Sequence, residues 1–328
     1  MGRPLGRGSG VTAAQESTTG TVTASVTVAV LTFRRPDDLD EALPRLVAQV
    51  RDVAGANLLV IDNDTEPSAR DVVARHADDA PGLVRYVHEP RPGIAAARNA
   101  ALDAAGTDLI VFIDDDERPG PSWLATLVGA FERFGGAGVV GPVVSEFAGE
   151  LDPWIVAGRF FERLRHPTGT RVAVAATNNL LLDLRLVSRW GTRFDEEFGI
   201  SGGSDTVLTL TIAQHGGVLT WCDEAVVTDV VPPSRANRSW VLRRAFRMGN
   251  SRSRAAVHVA AGPAAALRER AVWLVRGSGR CVVGAARAGA GWVLRRPDHA
   301  ARGTRTVMRG AGMVLGSVGG IYKEYRRG

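Results

Sequence analysis

The first 145 residues alternate short apolar, β-branched runs with segments of helical period, and this alternation limits the possible folds more than any other feature. Strands are predicted over 26–31, 57–61, 83–87, 109–113 and 138–144, and helices over 36–50, 67–76, 94–105 and 122–134. A repeated β-α order predicts an α/β fold with a mostly parallel central sheet flanked by helices. Ligands of such sheets bind outside the carboxyl ends of the strands, so a site is expected at that edge.

The alternation loosens after residue 142. Strands are predicted over 179–184, 218–221 and 225–227, a helix over 205–215, and a loop or short helices over 154–167. From residue 235 to 328 the period is helical. Residues 1–25 lack an apolar period and are predicted to be a disordered leader without a secretory signal. No run of 18 apolar residues occurs, so no transmembrane helix is expected.

Charge divides the chain into two parts. Residues 1–234 carry 20 basic and 32 acidic side chains, whereas residues 235–328 carry 20 basic and 3 acidic ones. A basic extension of this kind predicts an anionic partner, either a membrane surface or nucleic acid. No nucleic-acid-binding motif is present, so the membrane is favoured over nucleic acid. The two cysteines, Cys222 and Cys281, form no metal-ligand spacing and fit a reducing, cytoplasmic location.

Four consecutive carboxylates follow the predicted strand over 109–113. Asp114, Asp115, Asp116 and Glu117 repel one another at the edge of an apolar core, and a divalent cation relieves that repulsion. Alternating residues such as Asp114 and Asp116 can share one metal ion, and hard oxygen ligands suit Mg²⁺ or Mn²⁺. The alternative is a solvated acidic loop, but the position at a strand end favours a metal site.

Two further features are expected at the same edge. Asp62 ends the second strand, where a carboxylate can accept hydrogen bonds from a ribose or a base, although Asp is also common in turns. Gly93 precedes a helix whose N-terminal amides favour a phosphate, and Arg98 lies one turn further on. The alternative for Arg98 is a solvated helix face.

These motifs together resemble glycosyltransferase family 2, the inverting enzymes of the GT-A fold, and in particular bacterial exopolysaccharide glucosyltransferases of the succinoglycan type. The matching segments are 30–36, 60–64, 93–99 and 112–117. The resemblance implies a nucleotide-sugar donor and a metal–diphosphate contact through Asp114 and Asp116. The donor-binding residues that it implies are Thr32, Arg34, Asp62, Arg98, Asp114 and Asp115.

The resemblance extends to the second half of the chain. Asp205 occupies the position of the catalytic base, preceded by Ser204 where family members usually carry Glu. An Asp at a helix N-terminus is also favoured by the helix dipole alone. Asp229 is a further candidate metal ligand, or simply a strand-end carboxylate. The implied acceptor-binding residues are Trp154, Asn178, Asn179, Gly203 and Ser204.

The implied function is inverting transfer of a sugar, with UDP-glucose as the first candidate donor, to a saccharide or lipid-linked acceptor at the inner face of the cell membrane. Stretches 281–294 and 307–325 mix apolar residues with Arg and are predicted to lie on that surface. One alternative is a sugar-phosphate nucleotidyltransferase, which the Gly-free first loop and the lack of Lys before Lys323 disfavour. Another is a degenerate donor-binding protein without turnover.

Overall fold

The structure, a computed structural model, describes residues 24–322. Its central sheet has eight strands in the order β3-β2-β1-β4-β9-β6-β10-β8. These strands are β1 (Val26–Thr32), β2 (Ala56–Asp62), β3 (Val84–His88), β4 (Leu109–Asp114), β6 (Gly138–Val140), β8 (Arg171–Val172), β9 (Leu180–Asp183) and β10 (Leu219–Trp221). The neighbours β3, β2, β1 and β4 run parallel, as predicted.

The sheet is mixed rather than wholly parallel. Strand β9 runs antiparallel to both β4 and β6, and β8 runs antiparallel to β10. A smaller three-stranded sheet lies beside it in the order β5-β11-β7. Its strands are β5 (Glu117–Pro119), β7 (Val143–Phe147) and β11 (Val227–Val231).

Two predicted strands differ from the observed ones. The single strand expected over 138–144 is two strands in different sheets, because the chain breaks at Gly141 and Pro142 between β6 and β7. The strand expected over 225–227 instead runs from Val227 to Val231. Asp229 therefore lies within a strand and not after one.

Helices cover both faces of the central sheet and continue to the C-terminal end of the described chain. They are α1 (Pro36–Arg51), α2 (Arg70–Asp79), α3 (Ile94–Ala104), α4 (Trp123–Phe134), α5 (Pro153–Ala157), α6 (Leu184–Arg189), α7 (Ser204–Gln214), α8 (Arg238–His258), α9 (Pro263–Val293) and α10 (Pro297–Ser317). Successive side chains of a strand point to opposite faces. Accordingly, Val28 and Val30 of β1 join the core under α1 and α4, while Ala29 and Leu31 join the core under α3 and α7.

The basic extension is helical, as predicted, and consists of α8, α9 and α10. Glycines allow the helix backbones to approach closely: a Cβ on Gly284 of α9 would lie 2.8 Å from the Val307 nitrogen of α10. Within residues 24–322, no helix is both long and apolar enough to cross a membrane. The predicted leader lies outside the described residues as far as residue 23.

Candidate active site

The acidic cluster forms a turn between β4 and β5. The chain turns at Asp115 and Asp116, so the strand alternation expected to align Asp114 with Asp116 ends at Asp114. Glu117 fixes the turn, because its carboxylate accepts hydrogen bonds from the Asp114 N–H at 3.1 Å and from the Asn178 Nδ2 at 2.6 Å. In β11, Asp229 is the direct partner of Glu117 across the strand pair, which adds a further carboxylate beside the turn.

Burial disfavours the charged form of these carboxylates. The pKa of Asp114 is raised to about 6, chiefly by burial and also by the neighbouring charges of Asp116 and Asp229, while Arg98 opposes the change. Burial also raises the pKa of Asp115 to about 7, although Arg35 opposes the change. The pKa of Glu117 rises well above its usual value through burial and the charge of Asp114. The cluster thus carries an electrostatic cost that a cation would relieve.

Arginines already neutralise part of this charge. Arg35 donates from Nη1 to Asp115 at 3.3 Å and to Asp116 at 2.9 Å, and Arg235 donates to the same Asp116 oxygen at 3.1 Å. Arg163 forms a short ion pair with Asp229. None of these three arginines had been assigned to the acidic site from the sequence. Arg35 lies in a motif after β1, but Arg163 and Arg235 are distant in the chain and no local pattern indicates them.

The donor chemistry of the turn fits a divalent cation. Among residues 24–322, no group of three or more His, Cys, Asp or Glu side chains is arranged to hold a metal ion. Magnesium, however, is usually bound by one or two carboxylates together with substrate phosphates and water, so a complete protein cage is not expected. Asp114 and Asp116 are half-buried and can supply the two carboxylates, with Asp229 nearby.

The ends of β1 and β2 meet as predicted, with Thr32 paired to Asp62. The Asp62 carboxylate is not open to a ligand, which differs from the expectation of a free acceptor. The side chain is wholly buried and accepts hydrogen bonds from the Asp64 and Ala69 N–H groups and from the Tyr86 hydroxyl. It therefore holds the loop between β2 and α2.

Arg34 lies after β1 in a left-handed backbone conformation, with φ 55°. Its side chain pairs with Asp64 at 3.1 Å and remains about half exposed. The pair joins the loop after β1 to the loop after β2. Both loops border the same edge of the sheet as the acidic turn.

Arg98 connects the two halves of the site. From α3 it donates to the Ser204 hydroxyl at 3.1 Å, and its guanidinium lies over the Phe194 ring. It is also close enough to lower the pKa of Asp114. Ser204 is buried at the start of α7, next to Asp205. The acidic turn, Arg98 and the beginning of α7 therefore come together; the sequence had placed the acidic cluster and Arg98 at one edge of the sheet.

Asp205 is partly exposed in the first turn of α7. Its Oδ1 accepts a hydrogen bond from the Thr206 N–H at 2.7 Å, which fixes the carboxylate orientation. Gly203 precedes the helix with φ 105°, a conformation that favours glycine, and a Cβ there would lie 3.1 Å from the Ser251 side chain of α8. Helix α8 thus supports the loop that carries Asp205.

Asn179 was predicted to bind an acceptor, and the structure contradicts this. Its Nδ2 donates to the carbonyls of Pro142 and Ala225 at 3.0 and 2.8 Å, and its Oδ1 accepts from the Trp123 indole at 2.9 Å. With 1% of its surface exposed, Asn179 is a core residue. Only its neighbour Asn178 faces the acidic turn.

Trp154 lies on α5 within a cluster of aromatic rings. It stacks on Phe160 with 5.0 Å between ring centroids, and Phe161 stacks on Trp240 of α8. Arg244 lies over both Phe161 and Trp240, and burial lowers its pKa to about 10. The charges of Arg163 and Asp229 both act on the pKa of Arg244, so this aromatic cluster borders the acidic site.

A mixed α/β sheet with an acidic turn after its central parallel strand is the arrangement expected of the GT-A fold. The chain is 35% identical over 233 residues to the succinoglycan biosynthesis protein ExoM of Rhizobium meliloti, which covers 71% of this chain and 75% of the relative. It is 32% identical over 158 residues to an uncharacterized glycosyltransferase of Mycobacterium tuberculosis, covering 46% of this chain and 68% of the relative. Residues 27–187 match the model described as glycosyl transferase family 2, and together with the relative that is 35% identical this match shows that the chain belongs to that family.

A solved structure confirms the fold. The mannosyltransferase PcManGT from Pyrobaculum calidifontis, solved in complex with GDP-Man and Mn²⁺, matches with a TM-score of 0.61 at 20% identity. The match covers 90% of this chain and 88% of that one. The GT-A fold predicted from the motifs is therefore confirmed.

Proposed function

We propose that this glycosyltransferase moves a sugar from a nucleotide-sugar donor to a hydroxyl of a saccharide or lipid-linked acceptor during synthesis of a cell-surface or exported polysaccharide. The observation that carries the proposal is the acidic turn at Asp114–Glu117, which meets Arg98 and the start of α7 at one sheet edge. The similarity to a succinoglycan biosynthesis protein supports the polysaccharide context. UDP-glucose, the donor that the resemblance of the sequence motifs implies, is the first donor to test.

We infer that Asp114 and Asp116 hold Mg²⁺ or Mn²⁺, with Asp229 as a further ligand. The raised pKa of Asp114 supports this, because its cause is a burial and repulsion that a cation offsets. When bound, the ion would neutralise the charge that develops on the leaving diphosphate. Asp116 would exchange its contacts with Arg35 and Arg235 for this role.

The donor would lie along the edge formed by the loops after β1, β2 and β4. Thr32 and Arg34 border this edge, and Asp115 is held there by Arg35. We infer that Asp62 acts by shaping its loop, because its oxygens are already bonded within the protein. Arg98 would contact the diphosphate, since its present partner, the Ser204 hydroxyl, does not neutralise its charge.

Asp205 is the proposed catalytic base. It would accept the proton of the acceptor hydroxyl as the oxygen attacks the anomeric carbon from the face opposite to the leaving diphosphate. A single displacement of this kind inverts the anomeric configuration. Gly203 and Ser204 would position the acceptor next to Asp205, with Asn178 and Trp154 at the edges of the same pocket. The C-terminal helices would bind the anionic inner face of the cell membrane, and that membrane would supply the lipid-linked acceptors.

The metal proposal is tested by titration calorimetry of UDP and GDP with and without Mn²⁺. Mn²⁺ should tighten the binding of one nucleotide to the unaltered protein. In the presence of Mn²⁺, Asp116→Ala should bind that nucleotide about tenfold more weakly or worse, because a residue of the metal site is lost. Asp78→Ala removes an exposed carboxylate on α2 and is the matched control. Metal-dependent binding that survives in Asp116→Ala would refute the assignment.

A further inference from the structure

Four arginines of the basic extension lie together where α8, α9 and α10 meet. We define the arginine cluster as Arg252 of α8, Arg280 of α9, and Arg305 and Arg309 of α10. Close packing of the helix backbones brings them together, because Gly249 of α8 packs against the Arg309 backbone and Gly310 of α10 lies against Arg280. Arg305 is one turn before Arg309 on the same helix face. The charges of the other three members all act on Arg309.

Arg309 has no partner for its charge in the described part of the chain. Its Nε–H group is buried there without a hydrogen-bond acceptor. Burial lowers the pKa of Arg309, the like charges of Arg280, Arg305 and Arg252 lower it further, and no carboxylate among residues 24–322 opposes the change. An arginine does not lose its proton in a protein, so this cost of burial is not relieved by neutralisation. A bound anion would relieve it.

The positive charge of the cluster exceeds the negative charge around it. Burial lowers the pKa of Arg252 and of Arg305, and the change is opposed by Asp205 for the first and by Glu162 for the second. Glu162 is also paired with Arg159 at 2.7 Å, so its charge is shared. The surplus exceeds what one further carboxylate would neutralise. A diphosphate bears a negative charge on each phosphate, and guanidinium groups bind phosphate oxygens through paired hydrogen bonds.

Both ends of the cluster adjoin groups that we assign to the acceptor. At one end, the charge of the proposed base Asp205 acts on Arg252. At the other end, the Arg305 guanidinium lies 5.9 Å from the centroid of the Phe160 ring, and Phe160 stacks on Trp154. An acceptor whose hydroxyl meets Asp205 can therefore place a phosphate group on the cluster.

The donor diphosphate is assigned to a different set of elements. Arg98 of α3 acts on Asp114 of the acidic turn, whereas the arginine cluster lies on the three C-terminal helices. The cluster can be reached from solvent, since Arg280 is exposed and Met248, one turn before Arg252, is 45% exposed. A second anionic group, separate from the donor, can therefore enter there.

We propose that the arginine cluster binds the diphosphate group through which the acceptor saccharide is joined to its carrier. This narrows the acceptor of the proposed function to diphosphate-linked saccharides and rests on that function, because the place of Asp205 defines the acceptor side. Arg252 and Arg309 are the central contacts, and Arg280 and Arg305 extend the site on either side.

The test is titration calorimetry of the full chain, without donor or metal, against three glucosides of one carrier: octyl glucoside, octyl glucuronide and octyl diphosphate-linked glucose. The unaltered protein should bind the diphosphate at least about tenfold more tightly than the other two, because charge-assisted hydrogen bonds form only with its phosphates. Arg252→Gln/Arg309→Gln should lose this preference. Arg189→Gln/Arg268→Gln removes two exposed arginines outside the cluster and is the matched control.

Thermal unfolding without ligand separates binding from a structural role. Arg252→Gln/Arg309→Gln should unfold at the same temperature as the unaltered protein or higher, since it removes like charges that repel one another. A preference for the diphosphate that survives in this variant would overturn the proposal. Equal binding of the glucuronide, or of dihexanoyl phosphatidylglycerol, would also overturn it, because the cluster would then serve a carboxylate or a lipid headgroup.

Failure of this proposal can be told apart from failure of the proposed function. Mn²⁺-dependent binding of UDP or GDP should be the same in Arg252→Gln/Arg309→Gln as in the unaltered protein, because the donor site is separate. If the proposed function fails, nucleotide binding is absent from the unaltered protein as well. If only the cluster is wrongly assigned, nucleotide binding is retained and the three glucosides bind alike.

Discussion

The Asn179 side chain joins three segments of the chain inside the core. Its Nδ2 group donates to the carbonyls of Pro142, in the break between β6 and β7, and of Ala225, before β11. Its Oδ1 accepts a hydrogen bond from the Trp123 indole at the start of α4. The next residue along, Asn178, instead donates to Glu117 of the acidic turn. Two adjacent residues of one type thus serve the core and the site separately.

This difference predicts unequal costs for two matched substitutions. Asn179→Ala should lower the free energy of unfolding by about 3 kcal/mol or more, because it leaves the Trp123 indole N–H buried without its acceptor and removes a donor from the Pro142 and Ala225 carbonyls. Asn178→Ala should cost about 1 kcal/mol, since it removes one hydrogen bond in a half-buried place. Denaturant unfolding of both variants measures the difference. A similar loss in both would show that Asn179 does not connect the core as described.

At the scale of elements, the glycines of α9 separate into two groups. Those that face α10 permit close approach of the helix backbones, whereas a Cβ on Gly289, on the open face, would meet nothing within 4 Å. Glycine in a helix interior lowers the stability of the helix. Close packing of two helices can offset this loss, but only where the helices touch.

Replacement of glycine by alanine should change the free energy of unfolding in opposite directions in the two groups. Gly289→Ala should raise the free energy of unfolding by about 0.5–1 kcal/mol, through the better helix propensity of alanine. Gly284→Ala should lower it by about 1–3 kcal/mol, because the new methyl group would lie within 3 Å of the Val307 nitrogen and the Gly303 carbonyl. Thermal unfolding of the two variants decides the point; stabilisation by both would contradict the packing of α9 on α10.

Elements with a strong local period were predictable from the sequence. Strands β1 to β4 and helices α1 to α4 agree with the hydrophobic pattern to within a few residues, because each buries a regular face, whereas the short strand β5 was not predicted. The antiparallel insertion of β9 between β4 and β6 was not predictable from the sequence, since strand order depends on contacts between distant segments. For the same reason the sequence did not indicate Arg163 and Arg235, whose carboxylate partners are 66 and 119 residues away.

At the scale of the whole molecule, charge and exposure assign different tasks to the two parts of the chain. The acidic part up to residue 234 contains the turn at Asp114–Glu117, Arg98 and the proposed base Asp205. The basic part supplies Arg235 to Asp116 and supports the loop at Gly203 through α8. Both parts of the chain therefore contribute to the proposed site.

The most direct test of the central claim, transfer with Asp205 as the base, is release of nucleoside diphosphate from a panel of nucleotide sugars. The assay contains Mn²⁺ and anionic vesicles loaded with lipid-linked saccharide. The unaltered chain should consume one donor and place its sugar on the lipid. Asp205→Asn should bind that donor equally well and transfer at least about 100-fold more slowly. Equal turnover by Asp205→Asn, or no turnover of any bound donor, would contradict the account.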